Sequence, residues 1–200
     1  MTTDGYHAFW MLTRVWYQLR RPLRWEEPLT IRTWHREDKG ATMYRDYDLF
    51  VDGEAVGECV SAWVLASMDT RQIIRLATVH ELDGTGGGEL CKSKKLSKLR
   101  LPQDLELAGR RKLRYSDTDL NGHVNNTRYA DFACDALEME RLGPDRFLSS
   151  MQIGYLAECR PGEELLLWTK EQDGTHFVQG MDEGGKSRFE AALIFGEVLP

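Results

Sequence analysis

From Leu29 to Arg36, apolar Leu29 and Ile31 alternate with Thr30 and Arg32, the period of two that sends neighbouring side chains to opposite faces of a strand. "ATMYRDYDLFV" then runs into Asp52-Gly53, and "EAVGECVSAWVLASM" leads away from it, so residues 41–67 predict a β-hairpin. "TRQIIRL" offers one more strand. "DGTGGG" at 83–88 cannot hold regular structure and marks a linker. Beyond it "RRKLRY" reads as a strand. Residues 127–142, "TRYADFACDALEMERL", set Tyr129, Phe132, Ala133, Ala136 and Leu137 at helical spacing, and Gly143-Pro144 is expected to stop that helix. Four strand candidates finish the chain: "MQIGYLAEC", "EELLLWTKE", "THFVQGM" and "SRFEAALIFGEV". The first half thus predicts strands alone, and the second a strand, one helix and about four strands. A weak internal repeat aligns "WEEPLTIRTW" (25–34) with "PGEELLLWTK" (161–170), an offset of 136.

Composition narrows the class. With 200 residues and 42% hydrophobic content the chain can bury a sizeable core, and a net charge of −6 argues against a nucleic-acid binder. No apolar run approaches the roughly 20 residues that span a bilayer. The start, "MTTDGYHAFWMLTR", lacks the basic region of a signal peptide. Cys59, Cys91, Cys134 and Cys159 lie far apart without a C-x-x-C pair, which argues for a reducing compartment and against disulfides or a zinc site. A cytoplasmic protein without metal or organic cofactor is the expectation.

The chemistry concentrates in "YSDTDLNGHVNNTRYADF", residues 115–132. Local helix capping would use one or two of its short polar side chains. It does not account for Asp119, Asn121 and His123 at i, i+2, i+4, a spacing that in an extended segment sends all three to one side. Gly122 allows a tight turn onto the helix. The amides at the helix start, near Asn125 and Asn126, suit an oxyanion. Thirty-odd residues on, Glu158 and Cys159 stand side by side. On a strand they cannot both face one site unless a bulge intervenes. A Cys on a core strand is usually a small hydrophobe, whereas a buried Glu carries a desolvation cost and is the stronger functional hint. Cys134, mid-helix, reads as packing.

"DLNGHVNNTRYADF" resembles the signature of hot-dog-fold thioesterases. Together with "YLAEC" and "RPGEEL" it is similar to the acyl-ACP thioesterases of fatty acid synthesis, a resemblance that extends to "SAWVLASMDTRQIIRL" in the first half. It implies an α+β tandem hot-dog fold, antiparallel sheet wrapped on a central helix. The units are expected at 1–82 and 110–200, with residues 83–109 as linker. Applying the offset of 136 puts the first unit's counterpart of the helix mostly before Met1, so that unit is expected to be incomplete at its N-terminus. The resemblance implies catalytic Asp119, Asn121, His123, Glu158 and Cys159, with acyl carrier protein as partner. The working expectation is water attack on the thioester, with Glu158 as base alongside His123, Asn121 and helix-start amides holding the oxyanion, and Asp119 orienting them. Attack by Cys159 is the alternative. The rival activities are an acyl-CoA thioesterase and a non-catalytic acyl-thioester sensor. A hot-dog hydratase fits less well, since its motif carries proline where Gly122 stands. Trp10, Met11, Trp16 and Trp63 divide between acyl pocket and ordinary core, with core favoured.

Lys92, Lys94, Lys95, Lys98, Arg100, Arg110, Arg111, Lys112 and Arg114 face only Asp104 and Glu106 in the same stretch. Such runs are commonly solvated linkers. Just before the site, this one also suits an acidic carrier, and Lys92, Lys94, Lys95, Lys98, Arg110, Arg111 and Lys112 are its docking candidates. The phosphates of coenzyme A would suit the same patch. Oligomeric state is left open, with a homodimer allowed.

Overall fold

The computed structural model describes residues 2–3, 7–36, 39–79 and 96–198. The chain forms two compact units, Met1–Ser97 and Lys98–Pro200.

In the first unit, strands β1 (Thr2–Thr3), β2 (Ala8–Leu19), β3 (Leu29–His35), β4 (Thr42–Val51), β5 (Glu54–Ser67) and β6 (Ile73–Ile74) form an antiparallel sheet. Its order is β3-β4-β5-β2, with β1 added to β2 and β6 to β5. The β4–β5 hairpin turns at Asp52 (φ 50°) and Gly53 (φ 83°), the two left-handed positions that the Asp-Gly pair predicts. Strand β2 is the element that the pattern does not reveal. Opposite β5, Leu12 pairs with Trp63 and Arg14 with Ala62, so Thr13 is an extra residue whose hydroxyl donates to the Ala62 carbonyl (2.9 Å). That bulge shifts the phase of the alternation halfway along the strand. Trp16 packs with Val60, Ala62 and Leu96 on one face of β5, and Trp10 with Ala8, Leu65 and Leu76 on the other. Among the described residues this unit has no α-helix, only a 3-10 turn at Leu76–Thr78.

The second unit holds β7 (Glu106–Lys112), helix α1 (Arg128–Ala136), β8 (Arg146–Tyr155), β9 (Glu164–Gln172), β10 (Thr175–Met181) and β11 (Ser187–Glu197). Its sheet runs β8-β11-β10-β9-β7. Within it β8-β11-β10-β9 repeats the first unit's β2-β5-β4-β3, so the sequence repeat corresponds to a shared strand order. Asp173 and Gly174, both at positive φ, close the β9–β10 hairpin as Asp52-Gly53 closes its counterpart. Leu165 and Leu167 on β9 and Phe189, Ala191 and Leu193 on β11 alternate inward and are buried. Helix α1 lies against β7, β9, β10 and β11. Its buried face is Tyr129, Phe132 and Ala133, and the Tyr129 ring meets Phe189 (5.3 Å), Tyr155 (5.6 Å) and Phe132 (5.9 Å) edge-on.

Three boundaries differ from expectation. The helix ends at Ala136, six residues short of the expected end at 142, because Glu138 turns left-handed (φ 50°) and a 3-10 turn follows at Met139–Arg141. Strand β7 starts at Glu106, inside the stretch expected as linker. Strand β8 stops at Tyr155, so Glu158 and Cys159 lie beyond it in irregular chain. "DGTGGG", Lys92, Lys94 and Lys95 lie outside the described residues. Among the described residues no helix is long and apolar enough to cross a membrane.

Candidate active site

Between β7 and α1 the chain makes a 3-10 turn, Tyr115–Asp117, and then a closed loop. Thr118 and Val124 form a bridge, the Asp119 amide donates to the His123 carbonyl (2.9 Å), and the Gly122 amide donates to the Asp119 carbonyl (3.1 Å). Gly122 sits at φ 73°, a left-handed position that glycine occupies without steric cost. The segment is therefore a tight loop rather than the extended run expected from the i, i+2, i+4 spacing. It still gathers two of the three side chains directly. Asp119 accepts from the Asn121 amide (2.8 Å) and from the Asn121 side chain (3.4 Å).

His123 joins the other motif. Its Nε2 lies 3.4 Å from Glu158 Oε2, and the Arg160 guanidinium approaches the same nitrogen at 3.4 Å. The two segments are also stitched by main chain, since the Val124 amide donates to the Cys159 carbonyl (2.9 Å). Glu158 is not the buried carboxylate expected of it. Its side chain is 53% exposed, because β8 has ended and the chain here runs along the surface. Cys159 points the other way and is fully buried. Burial pushes its thiol up, against the opposing hydrogen bond with Tyr129 and the nearby Arg188 charge. The Tyr129 hydroxyl is likewise raised, by burial first and then by Cys159.

The helix-capping role falls mainly to Asn125. Its side-chain oxygen accepts from the Thr127 amide (2.9 Å) and hydroxyl (2.8 Å), an Asx turn leading into α1. Asn126 is exposed, and its carbonyl accepts from the Tyr155 hydroxyl (3.2 Å). Asp117, not singled out by the sequence, anchors the whole loop from inside. Its Oδ1 accepts from Arg111 (3.2 Å) and from Arg128 (3.1 and 3.3 Å), its Oδ2 from the Arg114 amide (2.8 Å), and its carbonyl from the Asn125 amide (2.9 Å). Burial pushes its carboxyl up, but the Arg114 amide, Arg128 and Arg111 together outweigh that and hold it below the ordinary range. The available signal was two arginines, Arg111 and Arg128, flanking one short acidic residue.

Arg111 is thereby drawn away from the expected docking set. Its guanidinium pairs with Asp117 and Asp135 and lies 4.6 Å over the Phe132 ring, because β7 turns this side chain toward the helix. Arg110 pairs with Glu164 (3.0 Å), and Lys98 and Lys112 are exposed. Tyr115, Thr118, Asp119, Leu120 and Asn121 line an open depression beside the loop, with Tyr115 and Leu120 exposed on its rim. Among the described residues no cluster of three His, Cys, Asp or Glu side chains has the geometry of a metal site.

A single helix cradled by antiparallel sheet is hot-dog architecture. The solved acyl-ACP thioesterase of Bacteroides thetaiotaomicron shares it, with a TM-score of 0.83 at 23% identity over 95% of this chain and 77% of that one. The 12:0-ACP thioesterase of Umbellularia californica does so at 0.79, with 22% identity over 97% and 77%. The chain matches the acyl-ACP thioesterase N-terminal domain over residues 2–80 and the C-terminal domain over residues 103–196. It belongs to the acyl-ACP thioesterase family. Curated relatives include the chloroplastic oleoyl-acyl carrier protein thioesterase 1 of Arabidopsis thaliana, 26% identical over 88% of this chain and 55% of the relative. The oleoyl-acyl carrier protein thioesterase of Coriandrum sativum is 27% identical over 80% and 48%. The chain thus spans about half the length of the curated relatives it matches.

Proposed function

We propose that the chain hydrolyses the thioester of an acyl-acyl carrier protein, releasing a free fatty acid and the carrier's thiol. The Glu158–His123 pair, set at the surface while Cys159 is buried behind it, carries this reading. A thiol raised by burial is a poor thiolate source at neutral pH, whereas an exposed carboxylate beside an imidazole can take a proton from water. Glu158 removes that proton as the water oxygen attacks the acyl carbonyl. His123, with Nε2 3.4 Å from Oε2, orients the carboxylate. Asn121, held by Asp119, offers its side-chain amide to the developing oxyanion. The tetrahedral intermediate then collapses, the carbon–sulfur bond breaks, and the departing sulfur recovers the proton. The exposed apolar rim of Tyr115 and Leu120 supports an apolar acyl-thioester arm entering the depression. Lys98 and Lys112 form the part of the basic run that remains suited to an acidic carrier, with Arg110 beside them already paired with Glu164.

The test is release of free thiol from matched acyl-ACPs and acyl-CoAs. Turnover should prefer the carrier protein, and that preference should shrink as salt rises. Glu158→Ala should lose at least about 100-fold in kcat, the usual contribution of a general base, while Cys159→Ala keeps most activity. A folded protein inactive on every chain length, or an unimpaired Glu158→Ala variant, would refute the proposal.

A further inference from the structure

We infer that Arg188, itself held by Asp182, is a positioning residue that fixes Glu158 for proton abstraction; this rests on the reading of Glu158 as the base. Glu158 has no strand ladder to hold it. Beyond Tyr155 the chain is irregular, and the carboxylate is more than half exposed. Its direction is therefore set by the His123 contact at its tip and by where its backbone is held.

Arg188, at the start of β11, holds that backbone from below at three consecutive residues. Its carbonyl accepts from the amides of Leu156 (2.9 Å) and Ala157 (3.1 Å), and its Nη1 donates to the carbonyl of Glu158 itself (2.6 Å). The rest of the guanidinium is fixed in turn. Nε and Nη2 each lie 3.0 Å from Asp182 Oδ2, and Nη2 lies 3.9 Å from Glu163. Asp182 does not float either. Its other oxygen accepts from the Lys186 amide (2.8 Å), closing the β10–β11 turn. The Lys186 amide, opposed by burial and aided by Arg188, holds the Asp182 carboxyl below the usual range. Arg188 is 18% exposed and Asp182 20%, so water competes little for the pair.

The chain of support runs from turn to carboxylate to guanidinium to the Glu158 carbonyl. A planar, forked cation reaches Asp182 and the carbonyl together in one fixed geometry, which an ammonium on a flexible stem does not preset. A displacement of about 1 Å in a catalytic group can cost on the order of 100-fold in rate.

The experiment is a double-mutant cycle on acyl-ACP hydrolysis, using Arg188→Lys and Glu158→Gln singly and together. Arg188→Lys should lower kcat about 10- to 100-fold with KM within about twofold, and should lower it less than about twofold further in the Glu158→Gln background. Asp182→Asn keeps a side-chain acceptor for the Lys186 amide and should lower kcat in the same direction by a smaller factor. It serves as the second variant should Arg188→Lys fold poorly. Two results overturn the positioning role alone while Glu158→Gln is impaired: both supporting variants retaining more than half of the wild-type kcat, or Arg188→Lys acting by the same factor in both backgrounds. An unimpaired Glu158→Gln overturns the reading of Glu158 as base, and the positioning role with it.

Discussion

Asp117 and Asp119 stand two residues apart and should respond to mutation in opposite ways. The Asp117 side chain is fully buried among two guanidiniums and a backbone amide, whereas Asp119 belongs to the partly exposed loop. Removing one partner of a buried ion pair costs about 3–5 kcal/mol. Arg111 and Arg128 are each about one-third exposed and can recover some hydration, so Asp117→Ala should fall at the low end, about 3 kcal/mol. Asp117→Asn keeps an acceptor for the Arg114 amide but loses the charge, and should cost about 2 kcal/mol. Asp119→Ala should change stability by less than about 0.5 kcal/mol while abolishing most turnover. Acid sharpens the contrast. The folded carboxyl of Asp117 is depressed, and the unfolded one titrates at about 3.9, so its contribution is complete above that pH. As pH falls through the lower folded value, the contribution disappears. Wild type should therefore lose stability more steeply than Asp117→Asn below about pH 4. Urea unfolding followed by circular dichroism at several pH values measures both terms, beside thiol-release assays. Asp117→Ala within about 0.5 kcal/mol of wild type, or Asp119→Ala as destabilising as Asp117→Ala, would refute the division between anchor and reaction centre.

Two further outcomes test the packing behind the site. Cys159, buried and with a raised thiol, should be alkylated by iodoacetamide at pH 8 at least about 100-fold more slowly in folded protein than in urea; rapid stoichiometric modification with loss of activity would return the thiol to the role of nucleophile. Gly180→Ala would place a Cβ 2.0 Å from the ring of Phe189, which is itself wedged against Tyr129. That overpacking should cost about 3 kcal/mol, read as a lower melting temperature, and an unchanged melt would mean that the ring moves aside freely.

Where local chemistry dictates geometry, the sequence was legible. Asp52-Gly53 gave its hairpin, and the alternating segments after residue 146 gave four strands near their observed places. Of the D-x-N-x-H residues, the structure joins Asp119 to Asn121 and His123 to Glu158, by a closed loop instead of an extended segment. The rest depended on contacts distant in sequence or on single backbone exceptions. One inserted residue, Thr13, hid a twelve-residue strand. Glu138 in a left-handed conformation ended a helix whose apolar spacing continued. The exposure of Glu158 followed from where β8 stops, which its own sequence, "YLAEC", does not signal. Arg188 lies 30 residues from the carbonyl it holds, with no local pattern to reveal it.

The bond from the Val124 amide to the Cys159 carbonyl changes how substitutions at position 159 are to be interpreted. Any residue supplies that carbonyl, so the loop's attachment is indifferent to side-chain chemistry and sensitive only to side-chain volume. A serine or alanine there leaves the loop seated. A bulkier side chain must displace the backbone away from Tyr129, and His123 would be carried with it. A graded loss of activity that follows the size of the residue at 159 would therefore report leverage on the imidazole, and a mutational phenotype at this cysteine is not in itself a sign of sulfur chemistry.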